Sequence, residues 1–123
     1  MEILKSLESC PAIEQYEFLE FRRWHDGFYY KAKIIMKDTT ILFARQYVAG
    51  NQHMYSFHWQ KNDEQLICRW DNAPYHPEIA TAPHHKHTIR GIEESRETQL
   101  ADVLKYIERP EARGERPDGN RRG

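Results

Sequence analysis

The sequence is poor in the features that would place it in several large classes of protein. Its two cysteines, Cys10 and Cys68, are too few for a disulfide framework and have no spacing typical of a metal site. No run of residues approaches the ~20 apolar residues that span a bilayer. A glycine-rich phosphate loop, a nucleophile elbow and a dinucleotide-binding fingerprint are all missing, so nucleotide-cofactor enzymes and serine hydrolases have no support.

The start of the chain, MEILKSLESCPAIEQ, has neither the basic segment nor the apolar segment of a signal peptide, so we expect a cytoplasmic protein without a membrane anchor. The formal net charge of -1 excludes a polyelectrolyte binder, and any contact with nucleic acid must be local. Aromatic residues make up 12% of the chain, which predicts a core rich in rings and favours strands over helices.

Alternation of apolar and polar residues predicts an antiparallel meander of about five strands. The clearest strand runs from Phe28 to Met36, where apolar even positions alternate with Lys31 and Lys33. The preceding run, YEFLEFRRW, loses its alternation at Phe18-Leu19, which indicates a bulge or an edge strand, and His25-Asp26-Gly27 is typical of a hairpin turn. A third strand is predicted over residues 41–48.

The segment MYSFHWQKNDEQLICRWDN is the most informative, because two alternating apolar rows must share one face of the sheet. An even-length loop around Asn62-Asp63 achieves this. The predicted pairs are Trp59 with Leu66, Phe57 with Cys68 and Tyr55 with Trp70. The opposite face then carries His58, Arg69 and Asp71.

The two ends of the chain give weaker signals. Residues 1–9 are compatible with a helix or with a lead-in to a strand. A helix is predicted from about Ser95, with an apolar stripe at Leu100, Val103, Leu104 and Ile107. We therefore predict one α+β domain over residues 1–108, with the C-terminal helix packed on one face of the sheet, and a disordered basic tail over residues 109–123.

The first candidate site is the polar group His58, Arg69 and Asp71. A histidine moves protons near neutral pH, an arginine clamps a phosphate, and an aspartate orients either one. The alternative is a solvated sheet face with an Arg–Asp ion pair.

The second candidate is the Pro/His loop, residues 72–87, which holds three of the six prolines and four of the seven histidines. Loops of this length inside compact domains are usually functional. The alternatives are a loop that covers the sheet, and a zinc site in which His85 and His87 act with His84 or Glu78. No cysteine partner or HExxH spacing supports the zinc site, so no metal or other cofactor is predicted.

A third feature is a basic row with Tyr29 among its members. It could follow a phosphate backbone, or it could only keep the surface soluble. The row consists of Arg22, Arg23, Lys31, Lys33 and Lys37.

Four runs together resemble the TumE-type toxins of bacterial toxin–antitoxin modules: YSFHWQ at 55–60, LICRWDNAP at 66–74, HPEI at 76–79 and PHHKH at 83–87. The resemblance covers about residues 54–108. One departure is Tyr75, where the family favours another histidine.

The resemblance implies a toxin that acts with a cognate helix-turn-helix antitoxin, with RNA cleavage as the suspected activity. If a base takes the 2′-hydroxyl proton and an acid protonates the leaving 5′-oxygen, cleavage needs no metal, so we predict a metal-independent endoribonuclease. The site would contain His58, Arg69, Asp71, His85 and His87 as catalytic residues, Lys86, Arg69, Lys31 and Lys33 as RNA phosphate-binding residues, and His76, Glu78 and His84 as supports of the loop. The alternatives are a non-catalytic toxin or regulator that binds RNA or protein, and a metal-dependent nuclease that uses the His-rich loop. A homodimer is left open.

Overall fold

A computed structural model describes residues 2–109 and residue 112 of the chain. Its elements are α1 Glu2–Ser9, β1 Ile13–Trp24, β2 Gly27–Met36, β3 Ile41–Ala49, β4 Gln52–Gln60, β5 Leu66–Asp71, β6 His85–Thr88, β7 Gly91–Glu94 and α2 Leu100–Ile107. They form two compact units. The sheet unit is residues 11–98, and the helical unit contains the described residues before 11 and after 98.

The sheet unit is one seven-stranded antiparallel sheet in which each strand pairs with the next along the chain. The predicted α+β class and antiparallel meander are therefore confirmed, with seven strands rather than about five. The two additional strands, β6 and β7, form a hairpin from residues expected to be loop or the approach to the helix. The sequence His-Lys-His-Thr has no apolar alternation that would have marked β6 as a strand.

The first hairpin follows the sequence pattern closely. A register shift between Phe18 and Glu20 is the predicted bulge of β1, and Trp24 pairs with Gly27 across the predicted turn. Gly27 is required for a reason other than the positive φ that an Asp-Gly turn suggests. A Cβ atom at this position would lie 1.7 Å from the carbonyl oxygen of Val48, so the close approach of β3 excludes any side chain.

The β4–β5 hairpin corrects the predicted register. Phe57 pairs with Trp70 and Trp59 with Cys68, so the predicted pairs were wrong by two residues. The loop between the strands, residues 61–65, also has odd rather than even length. An additional residue in β5, Ile67, lies between the partners of Trp59 and Gln60 and restores the alternation. The two apolar rows therefore share one face, as predicted.

Strands β2 to β5 bury one set of side chains, which we call the apolar face: Tyr30, Ala32, Ile34, Met36, Leu42, Ala44, Tyr55, Phe57, Trp59, Cys68 and Trp70. The one polar atom of the Trp59 side chain is satisfied, because its Nε1 donates to Thr40 Oγ1 at 2.9 Å. The other face, called the polar face below, carries Lys31, Lys33, Arg45, His58, Arg69, Asp71, His85 and His87.

The helical unit contains α1 and α2. Of the two alternatives for the start of the chain, the structure has the helix, over residues 2–9. Helix α2 begins at Leu100, later than Ser95, because the Asp102 side chain accepts the Gln99 N–H at 2.8 Å and so caps the first turn. The predicted apolar stripe of α2 is buried. Cys10 Sγ, which follows α1, donates to Glu108 Oε1 at 3.1 Å.

The packing of α2 on a face of the sheet and the single domain over residues 1–108 stay predictions. The predicted disordered tail lies outside the described residues, except for Arg109 and Ala112. No helix among residues 2–109 has the length and apolar character needed to cross a membrane.

Candidate functional site

The register of the sheet aligns side chains of five strands in two rows that run across the strands, and all of them except Phe43 are polar. One row is Lys33, Phe43, His58, Arg69 and His87, and the other is Lys31, Arg45, Ser56, Asp71 and His85. Directly opposed residues of antiparallel strands project to the same face. The predicted shared face of His58, Arg69 and Asp71 is therefore confirmed, and the β5–β6 pairing adds both histidines of β6 to it.

Asp71 lies at the centre of this group, with a side chain that is 8% exposed. Its Oδ1 is 3.0 Å from His85 Nε2 and accepts the Ala73 N–H at 3.0 Å. Its Oδ2 is 3.2 Å from Arg69 Nε and 3.4 Å from His87 Nε2. One buried carboxylate thus fixes the orientation of a guanidinium and of two imidazoles.

Arg69 also contacts His58, which is its direct partner on the neighbouring strand β4. Its Nη1 lies 3.3 Å from His58 Nδ1. A guanidinium only donates, so Nδ1 of His58 is the acceptor and carries no proton in this arrangement. Burial, and then the charge of Arg69, lower the pKa of His58 below its usual value of 6.5. His58 is therefore a neutral imidazole at pH 7.

The two histidines of β6 differ in access. The His85 side chain is 2% exposed, whereas the side chains of His87 and Arg69 are 28% and 39% exposed. Burial lowers the pKa of His87, and the carboxylate of Asp71 acts in the opposite direction. A substrate on the polar face can touch Arg69 and His87, but it cannot reach the ring of His85.

The Pro/His loop is attached to the sheet by side-chain hydrogen bonds. Asn72 continues the β4–β5 ladder beyond its last residue pair, because its Oδ1 accepts the Tyr55 N–H at 3.0 Å and its Nδ2 donates to the His53 carbonyl at 2.7 Å. Further along, His84 Nδ1 is 2.9 Å from the Tyr55 hydroxyl, and the two rings are stacked. His84 therefore attaches the loop to Tyr55, a residue of the apolar face.

His76 belongs to the Pro/His loop and contacts both histidines of β6. Its ring packs edge-on against His85 and His87, with centroid distances of 5.0 and 5.7 Å. One ring nitrogen from each of the three histidines lies within 4.8 Å of the others. His76 Nδ1 is 3.3 Å from Glu78 Oε1. A hydrogen bond to its own backbone N–H, followed by the contact with His76, lowers the pKa of Glu78. His76 thus joins the cluster directly, in the place where His84 or Glu78 was considered.

The lysines are placed differently from one another. Lys86 pairs with Trp70 and so projects to the face opposite Arg69. Lys31 and Lys33 do lie on the polar face, but Glu20 and Glu17 of β1 oppose them directly and offset their charge. Arg45, an exposed residue that sequence reasoning missed, lies between Lys31 and Ser56. The available signal was the alternation along β3, which places the odd-numbered Arg45 on the same face as its partner Lys31.

These features define an α+β protein in which an open meander sheet carries a histidine–arginine–aspartate group on one face, next to a histidine-bearing loop. The chain belongs to the Toxin TumE family, whose model matches residues 3–111. Membership of a toxin family indicates a toxin role and points to an antitoxin partner. No curated protein and no solved structure matches the chain.

Proposed function

We propose that this protein is the toxin of a type II toxin–antitoxin module and that it cleaves RNA on the polar face of its sheet, by attack of a 2′-hydroxyl on the neighbouring phosphate. The observation that carries this proposal is the row His58, Arg69 and His87 on three adjacent strands. Strands are about 4.8 Å apart, so the two histidines flank the arginine with a Cα separation of about 10 Å. A phosphate bound to Arg69 would have an imidazole on either side.

The charges around the two histidines support different roles for them in the proposed reaction. His58 faces a cation and is neutral, so it serves as the base. His87 is assigned as the acid because it lies 3.4 Å from the carboxylate of Asp71, which favours the protonated ring and opposes the lowering of its pKa by burial. Arg69 binds the phosphate, and Asp71 is a positioning residue that orients Arg69 and His87. His85 is buried and takes a positioning role as well.

The reaction needs only proton transfer and cationic support. Arg69 Nη1 moves from His58 to a phosphate oxygen, which frees His58 Nδ1 to accept the proton of the 2′-hydroxyl. The 2′-oxygen forms a bond to phosphorus, and the bond from phosphorus to the 5′-oxygen breaks. His87 donates its proton to the leaving 5′-oxygen. The products are a 2′,3′-cyclic phosphate and a 5′-hydroxyl, and no metal takes part in a step.

Contacts with the rest of the RNA would involve Arg45 first and then Lys31 and Lys33, because these residues extend the polar face away from the cluster. Lys86 is left out of this binding surface because it projects to the other face. The cognate antitoxin, with a helix-turn-helix domain, is the proposed protein partner. Both the RNA and the antitoxin contacts rest on the family membership together with the charge of this face.

Cleavage of a structured RNA by purified protein tests the proposal. We expect His58→Ala, Arg69→Ala and His87→Ala each to lower the cleavage rate by about 100-fold or more, because each removes a group that acts in the transition state. His25→Ala and Arg90→Ala change the same residue types at exposed turn positions and should cleave normally. A toxin that only binds RNA would give no product with the wild-type protein, and the enzymatic proposal would then fail.

A further inference from the structure

Three imidazoles, from His76, His85 and His87, converge in a way that the proposed reaction does not require. Two of them are at alternate positions of β6 and so share a face, and the third comes from the loop. Their ring centroids are 4.9 to 5.7 Å apart, and one nitrogen from each lies within 4.8 Å of the other two. Zinc ligands at about 2.0–2.1 Å from a tetrahedral ion need nitrogens about 3.4 Å apart, so modest rotation of the rings would close the site.

Hydrogen bonds at the outer side of the cluster point lone pairs towards its centre. His85 Nδ1 lies 2.9 Å from the carbonyl oxygen of Pro83, which can only accept, so Nδ1 carries a proton and Nε2 is left to bind. His76 Nδ1 faces the carboxylate of Glu78 in the same way. A carbonyl or a carboxylate behind the second nitrogen is the usual arrangement of a metal-bound histidine.

The contact between His85 and Asp71 supplies a second, independent observation. His85 Nε2 is 3.0 Å from Asp71 Oδ1 while His85 Nδ1 already faces an oxygen, so both nitrogens of a buried ring face acceptors. A ring with protons on both nitrogens satisfies both acceptors, and a cation bound at Nε2 would replace the second proton. The carboxylate would offset part of the charge of a bound cation, since its two oxygens lie 3.0 Å from His85 Nε2 and 3.4 Å from His87 Nε2.

We propose that His76, His85 and His87 form a binding site for a divalent transition metal of the zinc class, next to the carboxylate of Asp71, and that metal bound there switches off the cleavage of RNA. The second part rests on the proposed function, because His87 would donate its lone pair to the metal and could no longer carry the proton for the leaving oxygen. Imidazole ligands favour zinc over magnesium or calcium, which prefer oxygen ligands.

Metal binding can be measured without reference to activity. Full-length protein treated with chelator and then titrated with Co²⁺ should show the visible absorption of a tetrahedral complex at one ion per chain, and Zn²⁺ should displace it. His76→Asn removes a ligand that lies outside the His58–Arg69–His87 row and should weaken binding by more than about 10-fold. His25→Asn is the matched control and should bind as the wild type does. Absence of binding at one ion per chain, or unchanged binding by His76→Asn, would overturn the site.

Cleavage assays on the same proteins test the second part. We expect Zn²⁺ to inhibit the wild type, chelator to restore it, and cleavage by His76→Asn to lose at least about 10-fold of its sensitivity to Zn²⁺. Activation of the wild type by Zn²⁺, or unaltered cleavage at saturating Zn²⁺, would overturn the switching role. If the protein binds the metal through these histidines and cleaves no RNA under any condition, the metal site stands and the proposed function fails, so the two failures can be told apart.

Discussion

His58 and Arg69 are directly opposed on β4 and β5, with Arg69 Nη1 3.3 Å from His58 Nδ1. In the proposed reaction, Arg69 binds the phosphate and His58 accepts the proton. Asp71 orients the pair, since its carboxylate lies 3.2 Å from Arg69 Nε. The consequences of this arrangement can be tested one residue at a time.

Toxicity should depend on the guanidinium of Arg69. In cells that express the protein without its antitoxin, we expect Arg69→Ala to abolish growth inhibition and Arg69→Lys to restore little of it, because an ammonium cannot make the same bidentate contact. Arg90→Ala should remain toxic. Thermal unfolding must be measured alongside: if Arg69→Ala melts so low that unfolding at the growth temperature explains the loss, the residue is structural and the site assignment is wrong.

The titration of His58 should report its contact with Arg69. Burial and the neighbouring cation both disfavour the imidazolium, so the ring protons of His58 should titrate with a midpoint below 6.5. Arg69→Ala removes the cation and leaves the burial, which should move the midpoint up. NMR of the histidine ring protons gives both values. A midpoint that is unchanged in Arg69→Ala would show that the two side chains do not interact in solution.

The stability of the fold should depend on the charge of Asp71. Asp71→Asn keeps the shape of the side chain but leaves Arg69 and the buried nitrogen of His85 without their anion, which should lower the free energy of unfolding by about 2 to 4 kcal/mol. Urea denaturation measures this loss. Asp63→Asn, at an exposed turn position where Oδ1 accepts the Gln65 N–H, should change stability by less than about 0.5 kcal/mol. Equal effects of the two substitutions would contradict the central position of Asp71.

The two cysteines should differ in reactivity. Cys68 is 2% exposed, and burial raises the pKa of its thiol to about 12, so the reactive thiolate is scarce at pH 8. Cys10 is partly exposed. A disulfide reagent should label one thiol per chain in the native protein and two after unfolding, and Cys10→Ser should remove the native signal. Rapid labelling of Cys68 in the native state would contradict the burial of the apolar face.

The sequence allowed much of the sheet to be predicted, because alternation reports which face a side chain occupies. It identified the bulge after Phe18 and the common face of His58 and Arg69. It failed on the pairing of Trp59 with Cys68, since the bulge at Ile67 leaves no mark in the alternation on either side of it. The strand β6 was missed because its residues are polar on both faces.

For the candidate site, the sequence predicted which side chains share a face of the sheet and not how deeply each is buried. The five residues that the sequence predicted to be catalytic lie on one face, but the sequence could not show that His85 is buried or that Lys86 faces away, because both depend on the pairing of β6 with β5. The position of His76 beside the β6 histidines depends on the path of the Pro/His loop, which has no periodicity to read. The shared face was therefore predictable, whereas the depth and the direction of individual side chains in β6 were not.

The measurement that tests the central claim most directly is an analysis of product ends from matched RNA and DNA oligonucleotides incubated with the purified protein, with and without EDTA. A 2′-hydroxyl attack assisted by His58 and His87 predicts cleavage of RNA alone, 2′,3′-cyclic phosphate and 5′-hydroxyl ends, and full activity in EDTA. Cleavage of the DNA, or activity that EDTA abolishes and zinc restores, would contradict the account, since a metal-bound hydroxide needs no 2′-hydroxyl.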